Sequence, residues 1–243
     1  MHQDNTSRRV FFNRGCCGAI GLSGALNLLP SAAAAAEGKK SDLTPTQAFE
    51  KIKLGHKNFL SDNPTLISAR DSKRRLEIAR SQVPFAVLVG CSDSRVAPEV
   101  LFNTGLGELF IVRNAGNTVD TVALGSIEYA VQVLGVPLIL VLGHERCGAV
   151  DAAVSVVEKN SFYGGSIGRM IEPIIPAVLK AKAAGAGKGE DLLDAAVREN
   201  VRRTVERLRT SEPSLLEPLR AGKLKIVGAR YDLDDGKVDF FIT

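Results

Sequence analysis

The sequence predicts a single α/β domain: four parallel strands, an antiparallel edge strand, flanking helices and an N-terminal helical arm. Three patterns carry this. Phe85–Val89 is an unbroken apolar run ended by Gly90, and Glu108–Val112, Pro137–Leu142 and Leu224–Ala229 are runs of the same kind. Short apolar runs without alternation are strands buried on both faces, as in a parallel sheet. Between the second and third runs, Val122, Leu124, Ile127, Ala130, Val131 and Leu134 follow a helical period, which gives a strand–helix–strand unit. Last, Asp234–Lys237 reads as a turn into the alternating segment Val238–Ile242.

The remaining elements follow in order. Residues 37–47 read as a polar leader, after which Pro45 opens a helix with Phe49, Ile52 and Phe59 on one face. A second helical stretch covers Ala69–Arg80, and the two are expected to form an arm lying on a partner subunit. Helices are predicted at Gly148–Glu158, Arg169–Ala184 and Asp191–Arg209. Gly185–Gly189 looks like a phosphate loop, but it follows a helix and no Ser or Thr follows Lys188, so it reads as a surface turn. With 243 residues, 45% hydrophobic and 24% charged, the chain is neither disordered nor collagenous. Trp is absent and aromatics make up 5%, which argues against an aromatic cage or a base-stacking platform.

Residues 1–36 read as an export signal. Arg8-Arg9 precedes an apolar, small-residue stretch from Gly15 to Leu29 and an alanine run, Ala32–Ala36, with several possible cleavage sites. This is the twin-arginine pattern, and it predicts a periplasmic or otherwise exported protein made of residues 37–243. Loss of Arg8, Arg9, Arg14 and Asp4 lowers the net charge from +4 to about +2. A value so near zero gives no reason to expect nucleic acid as a partner, or stable membrane association once the signal is gone. Cys16 and Cys17 leave with the signal, so Cys91 and Cys147 remain in a compartment that permits disulfides.

Two strand ends hold the chemistry. Cys91-Ser92-Asp93-Ser94-Arg95 follows the first strand, and His144-Glu145-Arg146-Cys147-Gly148 follows the third. Ligands of open parallel sheets bind outside the carboxyl ends of the strands. His144 and Cys147 share a face of a first helical turn, whose N-terminus favours a thiolate at Cys147. With Cys91 alongside, two sulfurs and one imidazole make a zinc donor set that leaves a fourth position open, as in catalytic sites. Two alternatives stand beside it: a Cys91–Cys147 disulfide, and a closed structural zinc with Asp93 as fourth ligand. Asp93, kept ionised by Arg95, is an acceptor that can orient a zinc-bound hydroxide, and a plain loop ion pair is the simpler reading.

These two motifs in order resemble the β-class carbonic anhydrases, in their plant-type branch. The likeness runs from about Leu54 to Phe241 and includes Val96-x-Pro98-Glu99, Arg113-Asn114-Ala115-Gly116-Asn117, Ser126–Tyr129 and Gly228-x-x-Tyr231-Asp232. It implies reversible hydration of CO2 to bicarbonate by attack of zinc-bound hydroxide. It also implies one zinc per subunit on Cys91, His144 and Cys147, a dyad of Asp93 and Arg95, and a homodimer or higher even oligomer with sites at subunit contacts. Gln82, Phe110, Ala115 and Tyr129 match substrate-pocket positions, against plainer readings as a solvated glutamine and core aromatics. Leu88 stands where some bacterial members carry a tryptophan required for a regulatory bicarbonate site, although Arg113 and Tyr231 match that site's other positions. An unregulated site is therefore expected. His56 is a candidate proton shuttle or an ordinary helix histidine, with buffer or water chains the expected route. A hydrolase of carbonyl sulfide or carbon disulfide, and a non-catalytic zinc or bicarbonate binder, remain as rival functions.

Overall fold

The apolar runs form β1 (Ala86–Gly90), β2 (Leu109–Arg113), β3 (Leu138–His144) and β4 (Lys225–Tyr231), and the alternating segment forms β5 (Val238–Ile242). Their order across the sheet is β2-β1-β3-β4-β5, with β5 alone antiparallel to its neighbour. The computed structural model describes residues 40–61, 70–187, 189–210 and 213–243, all within one compact unit. The segment read as an export signal, and Lys188 of the glycine-rich turn, lie outside the described residues.

β1 and β3 are buried along their whole length because helices cover both faces. On one face, Ala48, Phe49 and Ile52 of α1 (Pro45–Leu60) and Phe102, which follows the short α3 (Pro98–Leu101), pack with Ala86, Leu88, Leu138 and Leu140. On the other, Ile127 and Val131 of α4 (Thr121–Gln132) and Val201 and Val205 of α8 (Glu190–Thr210) pack with Val87, Val89, Ile139 and Val141. Successive strand side chains alternate between the two layers. Each fully buried Val, Leu or Ile contributes about 1.5–3 kcal/mol, so burial on two faces is what holds the sheet.

Two expectations are refined, and one helix is added. The N-terminal arm divides: α1 is part of the chain's own core, whereas α2 (Ser72–Ile78) buries none of its residues. The helix expected over Arg169–Ala184 is broken into α6 (Gly165–Ile171), a 3-10 turn at Glu172–Ile174 and α7 (Ile175–Ala183). Pro173 and Pro176 cannot donate the backbone bonds of a continuous helix. After α5 (Gly148–Lys159) and these segments, α9 (Pro213–Arg220) forms despite Pro218 within it, where the prolines hid it from a periodicity reading.

His56 ties α1 to the sheet. Its Nδ1–H donates to the Leu101 carbonyl (3.2 Å), and its Nε2 accepts from the Val238 N–H (3.0 Å). Both ring nitrogens are therefore used inside the fold, which makes His56 a structural residue and not a surface proton shuttle. Burial lowers its pKa from 6.5, partly offset by the Leu101 bond. The unfolded chain then takes up the proton first, so this stability is full above pH 6.5 and is lost as pH falls below it. The melting temperature of the wild type is expected to fall between pH 7 and pH 5 more steeply than that of His56→Gln, whose amide keeps a donor and an acceptor. Equal slopes would contradict this assignment.

Candidate active site

The register of the sheet brings the two motifs together. Gly90 lies opposite Leu142 and His144 opposite Tyr231, so Cys91 and His144 leave adjacent strands at the same end. Cys147 occupies the cap position of α5, with its side chain turned into the protein. Cys91, His144 and Cys147 are all buried, and their donor atoms lie within 4.8 Å of one another. The two Sγ atoms are 3.9 Å apart. A disulfide needs about 2.05 Å, whereas two thiolates on a tetrahedral zinc, at Zn–S distances of about 2.3 Å, stand about 3.8 Å apart. His144 Nδ1–H donates to the Glu145 carbonyl (2.8 Å), which fixes the tautomer and leaves the buried Nε2 without a hydrogen-bond partner. An orphaned imidazole nitrogen facing two sulfurs at that spacing fits zinc. Asp93 is not a member of this set, so the closed structural site is not the geometry observed.

A layer of backbone and polar contacts positions these atoms. The Gly116 N–H, in the 3-10 turn Ala115–Asn117, donates to Cys91 Sγ (3.3 Å). Gly116 has φ +68°, which glycine adopts without penalty, and a Cβ there would stand 2.6 Å from Ile174 Cδ1 and push that side chain aside. Asn200 of α8 donates from Nδ2 to the Gly116 carbonyl (2.8 Å) and holds that peptide in place. Arg113, at the end of β2, donates from Nε to the Cys91 carbonyl (2.8 Å) and from Nη2 to the Asp93 carbonyl (2.7 Å). Arg95 holds the Asp93 carboxylate through Nε (2.9 Å) and Nη2 (2.7 Å), and its own N–H also donates to Oδ1 (3.0 Å). Asp93 Oδ2 stands 3.8 Å from His144 Nε2.

The Arg95 hydrogen bonds hold the Asp93 carboxyl well below the usual carboxylate range. Cys91 is pulled down to about 4, first by the Cys147 thiol donating to it and also by the Gly116 N–H, against the cost of burial. Cys147 is pushed up, because it shares the proton with Cys91 and is buried. The N–H groups of Val150 and Ala149 at the helix terminus act the other way and lower it, as expected for a thiol at that position.

The expected substrate-pocket residues divide. Ala115 adjoins Gly116, beside Cys91. Gln82 is exposed and precedes β1, so the whole strand, about 17 Å at 3.3 Å per residue, separates it from the cysteine after Gly90. Phe110 pairs in register with Val87, four residues before Cys91, and its ring lies 6.5 Å from that of the half-exposed Tyr129. Within one chain these three do not meet the metal-ligand cluster. Sequence reasoning missed the positioning roles of Arg113, Gly116 and Asn200. The Arg113–Asn117 segment was a signal for the first two; Asn200, inside a long helix, has none.

Comparison with known proteins agrees with this geometry. A family model described as carbonic anhydrase matches residues 86–238. Carbonic anhydrase 2 of Mycobacterium tuberculosis is 40% identical over 193 residues, 79% of this chain and 91% of that protein. The carbonic anhydrase of Mycolicibacterium smegmatis is 40% identical over 195 residues, 80% and 92% of the two chains. The solved structure of Coccomyxa β-carbonic anhydrase in complex with acetazolamide matches with a TM-score of 0.62 and 29% identity, covering 84% of this chain and 87% of that one. A structure from a study of two tetrameric β-carbonic anhydrases of Sordaria macrospora has a TM-score of 0.63 at 22% identity, covers 81% and 94%, and supports the fold alone. These relatives do not favour the sulfide hydrolase or the non-catalytic binder. With such identity over nearly the whole length of its relatives, the chain belongs to the β-class carbonic anhydrases and is a zinc lyase that interconverts carbon dioxide and bicarbonate.

Proposed function

We propose that Cys91, His144 and Cys147 are the three protein ligands of the zinc and that Asp93 and Arg95 work beside it on CO2 and bicarbonate. The carrying observation is the Asp93 carboxylate, gripped by Arg95 through two side-chain bonds and 3.8 Å from the free His144 Nε2. Zinc in such a site supplies Lewis acidity that makes a water-derived nucleophile available near neutrality. An ionised Asp93 accepts but cannot donate, so it takes the hydrogen bond of a reacting O–H and fixes its orientation. Arg95 keeps that carboxylate charged and in place. The Gly116 N–H draws charge from Cys91 Sγ, which offsets the neutralising effect of two thiolates on a divalent ion. Leu88 is buried among apolar side chains and Arg113 is engaged with two backbone carbonyls, in keeping with a site free of bicarbonate regulation and with Asp93 held off the metal.

The plant-type pocket is read as completed by a second copy. Gln82, Phe110 and Tyr129 lie away from their own chain's cluster, and a neighbouring subunit can supply a donor for the oxygen of CO2 from Gln82 and an apolar wall from the aromatics. Residues 1–36 are read as a twin-arginine signal, removed on export to the periplasm. Among the described residues no helix is long and apolar enough to cross a membrane. Sedimentation combined with activity over a dilution series tests the completed pocket. Specific activity is expected to fall in step with dissociation of a dimer or larger even oligomer, and a fully active monomer would contradict it.

A further inference from the structure

Between the two ligands of the third strand end lies a residue in an unfavourable conformation. Arg146, between His144 and Cys147, has φ +48°, in the left-handed region. A non-glycine residue there is about five- to thirtyfold less populated than in ordinary backbone. This residue joins His144, which ends β3, to Cys147, which caps α5 with its side chain buried. The Arg146 side chain, facing outward, donates to both oxygens of Asp234, from Nη1 to Oδ2 (2.9 Å) and from Nη2 to Oδ1 (2.6 Å), and its Nη1 also lies 3.3 Å from Glu145 Oε1, a partner within the same loop that cannot tie it to the β4–β5 turn. Its carbonyl accepts a longer bond from Arg95 Nη2 (3.4 Å).

Asp234 is itself fixed. It sits in the turn between β4 and β5, where Asp232 Oδ1 accepts from the N–H groups of Asp234 (2.9 Å) and Asp235 (3.3 Å). Arg230 Nη1 anchors the other Asp232 oxygen (2.8 Å). Beside it the same turn grips Glu145, whose N–H donates to the Tyr231 carbonyl (2.9 Å) and whose carboxylate accepts from the Leu233 N–H (3.1 Å). The loop carrying two of the three zinc ligands is thus held from outside by the β4–β5 turn, and the forked Arg–carboxylate pair is a contact of fixed direction.

We propose that the Arg146–Asp234 pair is a backbone clamp: it holds Arg146 in the left-handed conformation that points His144 and Cys147 at the same zinc. Both are positioning residues, because neither side chain touches the reacting atoms. The inference rests on the assignment of Cys91, His144 and Cys147 as zinc ligands.

The clamp makes a prediction that a merely stabilising surface pair does not. Glycine adopts the left-handed region without penalty, so Arg146→Gly removes the need for Asp234, whereas Arg146→Ala keeps the strain and loses the clamp. Zinc affinity is read by chelator competition on the full chain and its variants. Asp234→Ala and Arg146→Ala are expected to bind zinc about three- to tenfold more weakly than wild type. Arg146→Gly and the double variant Arg146→Gly with Asp234→Ala are expected to stay within about twofold of wild type. Metal-free melting temperatures should change by no more than about 2 °C, since the pair is exposed. Equal losses when Asp234→Ala is made in the wild-type chain and in the Arg146→Gly variant, no loss in either, or a loss in Arg146→Gly as large as in Arg146→Ala would overturn the clamp. A wild-type chain without zinc affinity would instead overturn the ligand assignment beneath it.

Discussion

Replacing His144 with alanine is expected to weaken zinc retention by more than about a hundredfold and to reduce CO2 hydration to the buffer background. Disturbing a residue that merely supports a zinc ligand costs about 10–100-fold, and His144 is proposed as the imidazole ligand itself. Its Nε2 is buried and without a hydrogen-bond partner, and Asp93, the nearest carboxylate at 3.8 Å, is held by Arg95. Two thiolates 3.9 Å apart would also face each other without the neutral ligand that completes the set. Zinc content by atomic emission and hydration rates on the same preparation check this, with circular dichroism confirming the fold. A variant that kept both zinc and turnover would remove His144 from the metal site.

The second large effect is at Asp93. Asp93→Asn is expected to retain zinc, because the donor set does not include this residue, and to lose about 10²–10³-fold in kcat/KM. The amide has nearly the shape of the carboxylate but presents a donor where the acid only accepts, and it surrenders the charge that holds Arg95 through two bonds. The loss should appear at every pH, since the Arg95 contacts keep Asp93 ionised far below neutrality. Undiminished turnover in zinc-loaded Asp93→Asn would reduce the pair to a loop ion pair.

β1, β3 and β4 were legible because burial on both faces demands unbroken apolar runs, the half-buried edge strand β2 carries such a run too, β5 shows the alternation of an edge strand, and each of the five appears within a residue or two of its expected place. The clustering of Cys91, His144 and Cys147 was legible for a related reason: parallel strands place their carboxyl ends side by side, and a short strand after Phe85 delivers Cys91 beside the residue that ends β3. What escaped were features set by prolines within an apolar period and by contacts distant in sequence. Pro173, Pro176 and Pro218 reshape helices whose apolar periods alone read as continuous or absent. The 3.9 Å approach of Cys91 and Cys147 joins residues 56 apart in sequence, which no local pattern records. Asn200 reaches the Gly116 carbonyl from a helix whose periodicity marks it only as buried.

The most direct test is stopped-flow CO2 hydration by the wild-type chain, from pH ~6.5 to ~9, with zinc measured on the same sample. One zinc per chain, with catalysed hydration already present near neutrality and rising with pH, is the predicted result. Fully zinc-loaded protein that hydrates no CO2 at any pH would contradict the account.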